Sequence, residues 1–195
     1  MENLIYPFSY PIYHSSIDKK NFLKIENDVK DYIKNNINLF TKQWDCPTLS
    51  TAQKNLSYKE IIKSKTLNDQ IKIHVEKYFK AWKFKLPCDI SIHELWVNLG
   101  KKGSYQEAHH HHSVLFSGTI YINVDNTSGD FVLYNPLNAE SILMHCSKTF
   151  TDLCQVTPKN SDIIIFPGWL RHRVAENKSN LNRISLTFNI KANFK

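Results

Sequence analysis

The sequence predicts a mainly β protein, with about seven or eight strands in an antiparallel sandwich or barrel and two N-terminal helices packed on it. Three observations carry that prediction. Two segments before Pro87 repeat apolar residues at three- and four-residue spacing. Beyond Pro87 the segments become short, β-branched and bounded by turn residues. The separators there leave little room for crossover helices, which favours an antiparallel sandwich or barrel over a parallel α/β sheet. The 195 residues suit a single domain over 1–195, with a helical part over 1–87 and the β-core over 88–195.

The elements follow in order. Ser16 and Asp18 are capping residues for a helix running to about Asn36, with Phe22, Ile25, Val29 and Ile33 on one stripe. The stretch TKQWDCPTLSTAQKNLSYKE reads as irregular. A second helix starts after Thr66 and sets Leu67, Ile71, Val75, Tyr78, Phe79 and Trp82 on one broad face before Pro87 closes the section. The strands are ISIHELWVNL, VLFSGTIYINV, DFVLYNP, TFTDLCQVTP, DIIIFPG, RHRVAEN and RISLTFNIKA. GKKGS, DNTSGD, PLNAES, PKNSD and ENKSNLN separate them.

Composition narrows the class. Hydrophobic residues make up 42% and aromatic residues 12%, which is a globular balance. No apolar run reaches the roughly 18 residues of a membrane helix. The N-terminus MENLIYPFSYPIYH has neither a basic start nor an apolar core, so a cytoplasmic protein with no membrane partner is expected. Net charge is +7, from 25 Lys plus Arg against 18 Asp plus Glu. The basic residues are scattered and form no stripe, so they read as a solvated surface, and a nucleic-acid partner is not favoured. Cys46, Cys88, Cys146 and Cys154 show no CxxC spacing and read as reduced thiols.

The chemistry concentrates in EAHHHHSVLFSGTIYIN, residues 107–123. Four consecutive histidines, His109 to His112, stand in mid-chain, where no purification tag would sit. On a strand, His109 and His111 share one face and His110 and His112 the other. An HxH pair is a chelating unit that needs a third ligand. The candidates are His14, His74, His93, His145 and His172, or a carboxylate. His172 stands out, just after an apolar strand and a Pro-Gly turn in DIIIFPGWLRHRVAEN. Farther on, Arg183 and Ser185 alternate in NRISLTFNI and share a face. A guanidinium beside a hydroxyl is suited to binding a carboxylate. Trp96, Tyr105, Phe116, Tyr121 and Trp169 are available to wall a pocket, although ordinary core packing accounts for most such aromatics.

These motifs resemble the 2-oxoglutarate/Fe(II)-dependent oxygenases. The segments WVNLGKKGSYQEAHHHHSVLFSGTIYI and FPGWLRHRVAENKSNLNRISLTFN are similar to a small branch found in marine bacteria and phages. That branch reads W-x-N, G-x-x-Q/N, H-x-H-P, SG-x-x-Y, FP-x-x-x-H-x-V and R-I-S. The resemblance covers residues 94–190 and implies a double-stranded β-helix, of jelly-roll or cupin-like kind. It implies Fe(II) as cofactor, with 2-oxoglutarate and O2 as cosubstrates and an unknown prime substrate. By position it places the metal on His109, His111 and His172. It gives Arg183 and Ser185 the distal carboxylate of 2-oxoglutarate, with Asn98 and Tyr121 beside the cosubstrate and Trp96 and Gln106 lining the pocket.

Two departures from the branch leave alternatives. The proline after the second histidine is His112 here, which admits His110 and His112 as the ligand pair. Most of these enzymes use two histidines and one carboxylate, whereas His111 stands in the carboxylate position and Asp130 is the substitute carboxylate. Two other readings remain: a three-histidine cupin-type dioxygenase that needs no keto acid, and a non-catalytic metal-binding jelly roll. The helical part, barely covered by the resemblance, is free to serve substrate choice or a homodimer contact.

Overall fold

The structure is a computed structural model that describes residues 10–42, 45–52, 62–83, 88–112, 114–136 and 152–194, without the side chains of residues 88 and 192–194. The irregular stretch, Pro87, His145, Cys146 and part of TFTDLCQVTP lie wholly or partly outside the described residues.

Asp18 caps the first helix as expected, whereas Ser16 ends a short strand, and the second helix starts at Lys65 rather than after Thr66. Helix α1 spans Lys19–Asn36, and the Asp18 side chain accepts from the Asn21 amide. It buries Phe22, Ile25, Val29 and Tyr32, while Ile33 is only partly buried. Helix α2 spans Lys65–Ala81, capped by Ser64 accepting from the Leu67 amide. Leu67, Ile71, Val75, Tyr78 and Phe79 are buried, and Trp82 packs half-buried just past its end.

The strands form two antiparallel sheets. In chain order they are β1 (Tyr13–Ser16), β2 (Thr41–Lys42), β3 (Leu49–Ser50), β4 (Cys88–Gly100), β5 (Gln106–His109) and β6 (Phe116–Asn123). Then come β7 (Phe131–Tyr134), β8 (Leu153–Val156), β9 (Asp162–Pro167), β10 (His172–Val174) and β11 (Arg183–Phe194). The larger sheet runs β1-β9-β6-β11-β4-β3-β2 and the smaller β5-β10-β7-β8. From β5 to β11 the chain passes back and forth between the two sheets, as a double-stranded β-helix requires.

The stretch before residue 88 is more than helical, because β1, β2 and β3 join the larger sheet at its two edges. β1 pairs along β9, and the His14 Nε2 to Asp162 Oδ2 contact of 2.9 Å fastens its side chain there. Tyr13 ties the same strand to α2, with its hydroxyl 2.8 Å from His74 Nδ1. Burial pushes the His74 imidazole down to about 4.

β4, β6 and β11 of the larger sheet each have a dry face and a cavity face. Ile184, Leu186, Phe188 and Ile190 of β11 are buried in one cluster with the apolar stripes of both helices. Arg183, Ser185, Thr187 and Asn189, at the alternate positions, line a cavity between the sheets. A second, smaller core holds Tyr121, Val124, Phe131, Leu133, Ile164, Phe166 and Leu170 between the sheets beside that cavity.

Candidate metal centre and its cavity

His109 is the last residue of β5, and His172, the first of β10, is its direct partner in the ladder. Their ring centroids lie 4.4 Å apart. The strand ends there, so His110, His111 and His112 lie beyond it and the expected strand through the whole run is not formed. The alternation survives all the same. His109 and His111 are half-buried, whereas His110 and His112 are exposed and pack ring against ring at 4.2 Å.

The backbone explains why His111 turns inward. Its amide donates to the Gly168 carbonyl at 2.8 Å, and the Gly168 amide donates to Leu115 O at 3.1 Å. These two bonds fasten the histidine segment to the turn between β9 and β10. Only glycine fits there, since a Cβ on Gly168 would lie 2.6 Å from the Val114 carbonyl oxygen. The His111 ring is held between Trp96 (5.6 Å, 26°) and His172 (5.1 Å, 4°).

One ring nitrogen from each of His109, His111 and His172 lies within 4.8 Å of the others, a spacing that suits a shared metal ion. Nδ1 of His109 is 2.7 Å from Glu107 O, and Nδ1 of His172 is 2.8 Å from Leu170 O. A carbonyl can only accept, so both rings carry Nδ1–H and leave Nε2 as a lone pair. Nε2 of His111 and Nε2 of His172 are 3.3 Å apart. Burial pushes all three imidazoles below their ordinary value, His111 to about 3 and His172 well down, helped by the neighbouring imidazoles. They are therefore neutral near pH 7, the form that binds metal.

The other candidates are engaged elsewhere. Asp130 Oδ1 accepts from Thr157 Oγ1 at 2.7 Å, and Asp130 is not among the cavity-lining residues. His14 and His74 hold Asp162 and Tyr13, respectively. His93 is exposed at the cavity rim. Of the candidate wall aromatics, Trp96 and Tyr121 line the cavity. Phe116 belongs to the helix-side core, and Tyr105 and Trp169 are exposed.

The cavity measures about 620 Å³. Its lining follows the sheet register. Ser185 pairs with Asn98 on one side and Tyr121 on the other, so these three stand in one row across β4, β11 and β6. Arg183 begins the same face and is 7% exposed. Its guanidinium carbon lies 5.4 Å from the Tyr121 ring centre. Arg183 Nε, the Tyr121 hydroxyl and Gln106 Nε2 are buried with no hydrogen-bond partner among the described residues. Gln106 belongs to the same end, because Asn177 bonds both Ser104 O (2.8 Å) and Gly100 O (3.1 Å), and Gly100 is the ladder partner of Arg183. Burial lowers the Arg183 guanidinium and raises the Tyr121 phenol to about 12, while the Arg183 charge opposes the rise. The buried guanidinium, with the Tyr121 hydroxyl and the Gln106 amide near it, forms a receptor for an anion. Asn98 Nδ2 is already committed to Thr187 Oγ1 at 3.0 Å.

Sequence reasoning missed Gly168, Glu94 and Asn189 as parts of this site. Asn189 had a legible signal, since it continues the alternation of Arg183 and Ser185. Gly168 had none beyond the Pro-Gly turn, because its role is a contact with a distant segment.

A family model described as "Putative 2OG-Fe(II) oxygenase" matches residues 94–189, about half of the chain. No curated protein matches the chain. Among solved structures, a prolyl-4-hydroxylase from Pseudomonas putida aligns at 9% identity, covering 96% of this chain and 94% of that one, with a TM-score of 0.62. A prolyl hydroxylase from Trichoplax adhaerens, in complex with a hypoxia inducible factor peptide fragment, aligns at 11% identity over 93% and 82% of the two chains, with a TM-score of 0.64. HygX from Streptomyces hygroscopicus, with nickel and 2-oxoglutarate bound, gives 11% identity, the same coverage and a TM-score of 0.57. At such identities the likeness establishes the double-stranded β-helix. No described helix is long and apolar enough to cross a membrane. The matched segment carries both inner His positions, His172 and the Arg183–Ser185 pair, and the chain belongs to the 2OG-Fe(II) oxygenases, oxidoreductases that use iron and 2-oxoglutarate.

Proposed function

We propose that His109, His111 and His172 hold Fe(II) through one ring nitrogen each, and that Arg183 and Ser185 bind the distal carboxylate of 2-oxoglutarate. The observation that carries this reading is a three-histidine cluster in the same cavity as a buried arginine whose Nε has no hydrogen-bond partner among the described residues. The donor set suits Fe(II): three neutral imidazoles, two of them fixed by carbonyl bonds. When bound, the iron supplies oxygen activation, coupling oxidative decarboxylation of 2-oxoglutarate to succinate and CO2 with oxidation of a C–H bond of the prime substrate.

The protein's own residues do the positioning. Arg183 offers its planar donors to a carboxylate, Ser185 adds a hydroxyl two residues on, and Tyr121 contributes an O–H that burial keeps protonated. Asn98, tied to Thr187, closes the row beside them. Phe131 and Phe166 pack against His172 at 5.4 and 4.6 Å and keep water from its back. With His111 in the usual carboxylate position, the ligand set carries no negative charge. The dianionic cosubstrate then supplies all of the neutralisation, so iron retention should depend strongly on 2-oxoglutarate. A cytoplasmic location belongs to the same reading, supported by the free thiols Cys46 and Cys154.

The test is anaerobic titration of the apo-protein with Fe(II) and then 2-oxoglutarate, followed by visible absorption. A weak charge-transfer band that needs both additions is the expected result, lost in His111→Ala and requiring more 2-oxoglutarate in Arg183→Ala. Iron binding without the band would favour a three-histidine dioxygenase that uses no keto acid. Failure to bind iron would sink the assignment.

A further inference from the structure

The cavity is chemically polar from end to end. Donors gather at the Arg183 end and acceptors at the other. Asn189 lies six residues farther along the same face of β11, roughly 20 Å at the usual strand rise. Leu115 N bonds Ile190 O at 3.2 Å, so this end is where the exposed His110–His112 segment returns to the sheet. The metal trio stands between the two ends, with His111 stacked on Trp96, whose ladder partner is Thr187.

Asn189 is 4% exposed. Its Nδ2 donates to Glu94 Oε2 at 2.5 Å. A carboxylate accepts hydrogen bonds, so the nitrogen of the Asn189 amide must face Glu94. The amide orientation is therefore fixed by chemistry, and its Oδ1 points elsewhere. That oxygen is buried with no partner among the described residues, on a side chain that lines the cavity. Glu94 lines the cavity too and is the one carboxylate among its described lining residues. The exposed His93, His110 and His112 line the cavity as well.

We propose that Asn189 Oδ1 and the Glu94 carboxylate form the recognition site for a cationic nitrogen, an ammonium or a guanidinium, on the prime substrate. Both groups are acceptors, so the bound group must donate. One of them is acidic, so a charged donor is preferred to a neutral one. Trp96, two residues along the same face of β4, walls the space through which an aliphatic stem would reach the metal. This inference rests on the reading of the iron and 2-oxoglutarate sites only for the orientation of the substrate.

The test uses saturation-transfer NMR on the full chain without metal, at pH 8, where an ordinary imidazole is uncharged. The probes are L-arginine and L-lysine, their neutral counterparts L-citrulline and L-norleucine, and blocked Gly-Arg-Gly and Gly-Lys-Gly peptides. At least one cationic probe is expected to bind tenfold or more tightly than its neutral counterpart. Glu94→Gln, at an exposed position, and Asn189→Leu should each weaken that binding by at least tenfold. Tighter binding of the free amino acid would point to a small-molecule substrate, and tighter binding of the peptide to a protein side chain. Equal binding of citrulline or norleucine, unchanged binding in both variants, or no binding of any cation would overturn the proposal. The charge-transfer band, measured in the same variants, tests the underlying reading separately. A normal band without cation selectivity removes only this inference, and a missing band with cation selectivity intact removes only the iron assignment.

Discussion

The two faces of β11 are built from alternate residues of one segment, RISLTFNI, and they have opposite characters. Ile184, Leu186, Phe188 and Ile190 point toward the helices and are almost fully buried among apolar neighbours. Arg183, Ser185, Thr187 and Asn189 point into the cavity, and two of the four carry buried polar atoms without partners. The first face removes surface from water and stabilises the fold. The second holds desolvated donors and acceptors whose cost is recovered when a ligand arrives. The difference teaches that stability and ligand binding are separable along a single strand, residue by residue.

Breaking the dry face should have the largest effect. Phe188 is fully buried and packs over Gly118, where an added Cβ would lie 2.4 Å from the Phe188 ring. Phe188→Ala should cost about 3–5 kcal/mol of stability by transfer and cavity terms. Urea unfolding checks this, and the fraction that remains folded should still bind Fe(II). Arg183→Met should give the converse. Losing charge-assisted bonds to a carboxylate is worth about 1.5–3 kcal/mol, so 2-oxoglutarate affinity should fall roughly 10- to 150-fold. Thermal unfolding without ligand should be unchanged or raised, because the variant no longer buries a cation. A fall in ligand-free Tm similar to that of Phe188→Ala would show that the two faces are not separable.

The centre itself can be loosened without touching a ligand. Gly168→Ala drives a Cβ toward Val114 O and Cγ2, at 2.6 and 2.7 Å, in the turn that fastens His111. Disturbing a group that orients a metal ligand typically costs 10- to 100-fold in metal affinity. Competition for Fe(II) with a chelator of known affinity measures it, and an affinity equal to the parent chain's would show that the Gly168 bonds do not set the His111 position.

How much of this was legible in the sequence depends on the range of the interactions. The helices were, because the Asp18 cap and the apolar stripes act within a few residues of themselves, although the Ser64 cap of the second was not read. The long strands were, because alternation is local and RISLTFNI displays it plainly. β1, β2 and β3 were not, since two to four residues carry no period and the partner strands lie far away in sequence. At the site, the parity of His109 with His111 and of Arg183 with Ser185 foretold which side chains face inward. The means did not follow the expectation, since the strand stops at His109 and a bond to Gly168 turns His111. Gln106 and Asn189 show the same limit. Their residue types were visible, but their unsatisfied burial is a property of the assembled sheets.

The smallest effect tests the comparison from a distance. Asp18 caps α1 and forms part of neither face of β11. Its carboxylate accepts from the Asn21 amide at 3.1 Å and the Asn21 side chain at 2.7 Å, and these bonds hold it below the ordinary carboxylate range. Asp18→Ala should lower the urea midpoint slightly, because the first turn of α1 loses its cap. α1 contributes Phe22, Ile25 and Val29 to the core behind the dry face, so any damage must pass through that core to reach the cavity. If packing insulates the two faces, the charge-transfer band and the 2-oxoglutarate affinity of Asp18→Ala will equal those of the parent chain while its urea midpoint falls. If the affinity falls in step with the midpoint, the cavity residues owe their positions to the helices, and the dry face becomes part of the binding machinery.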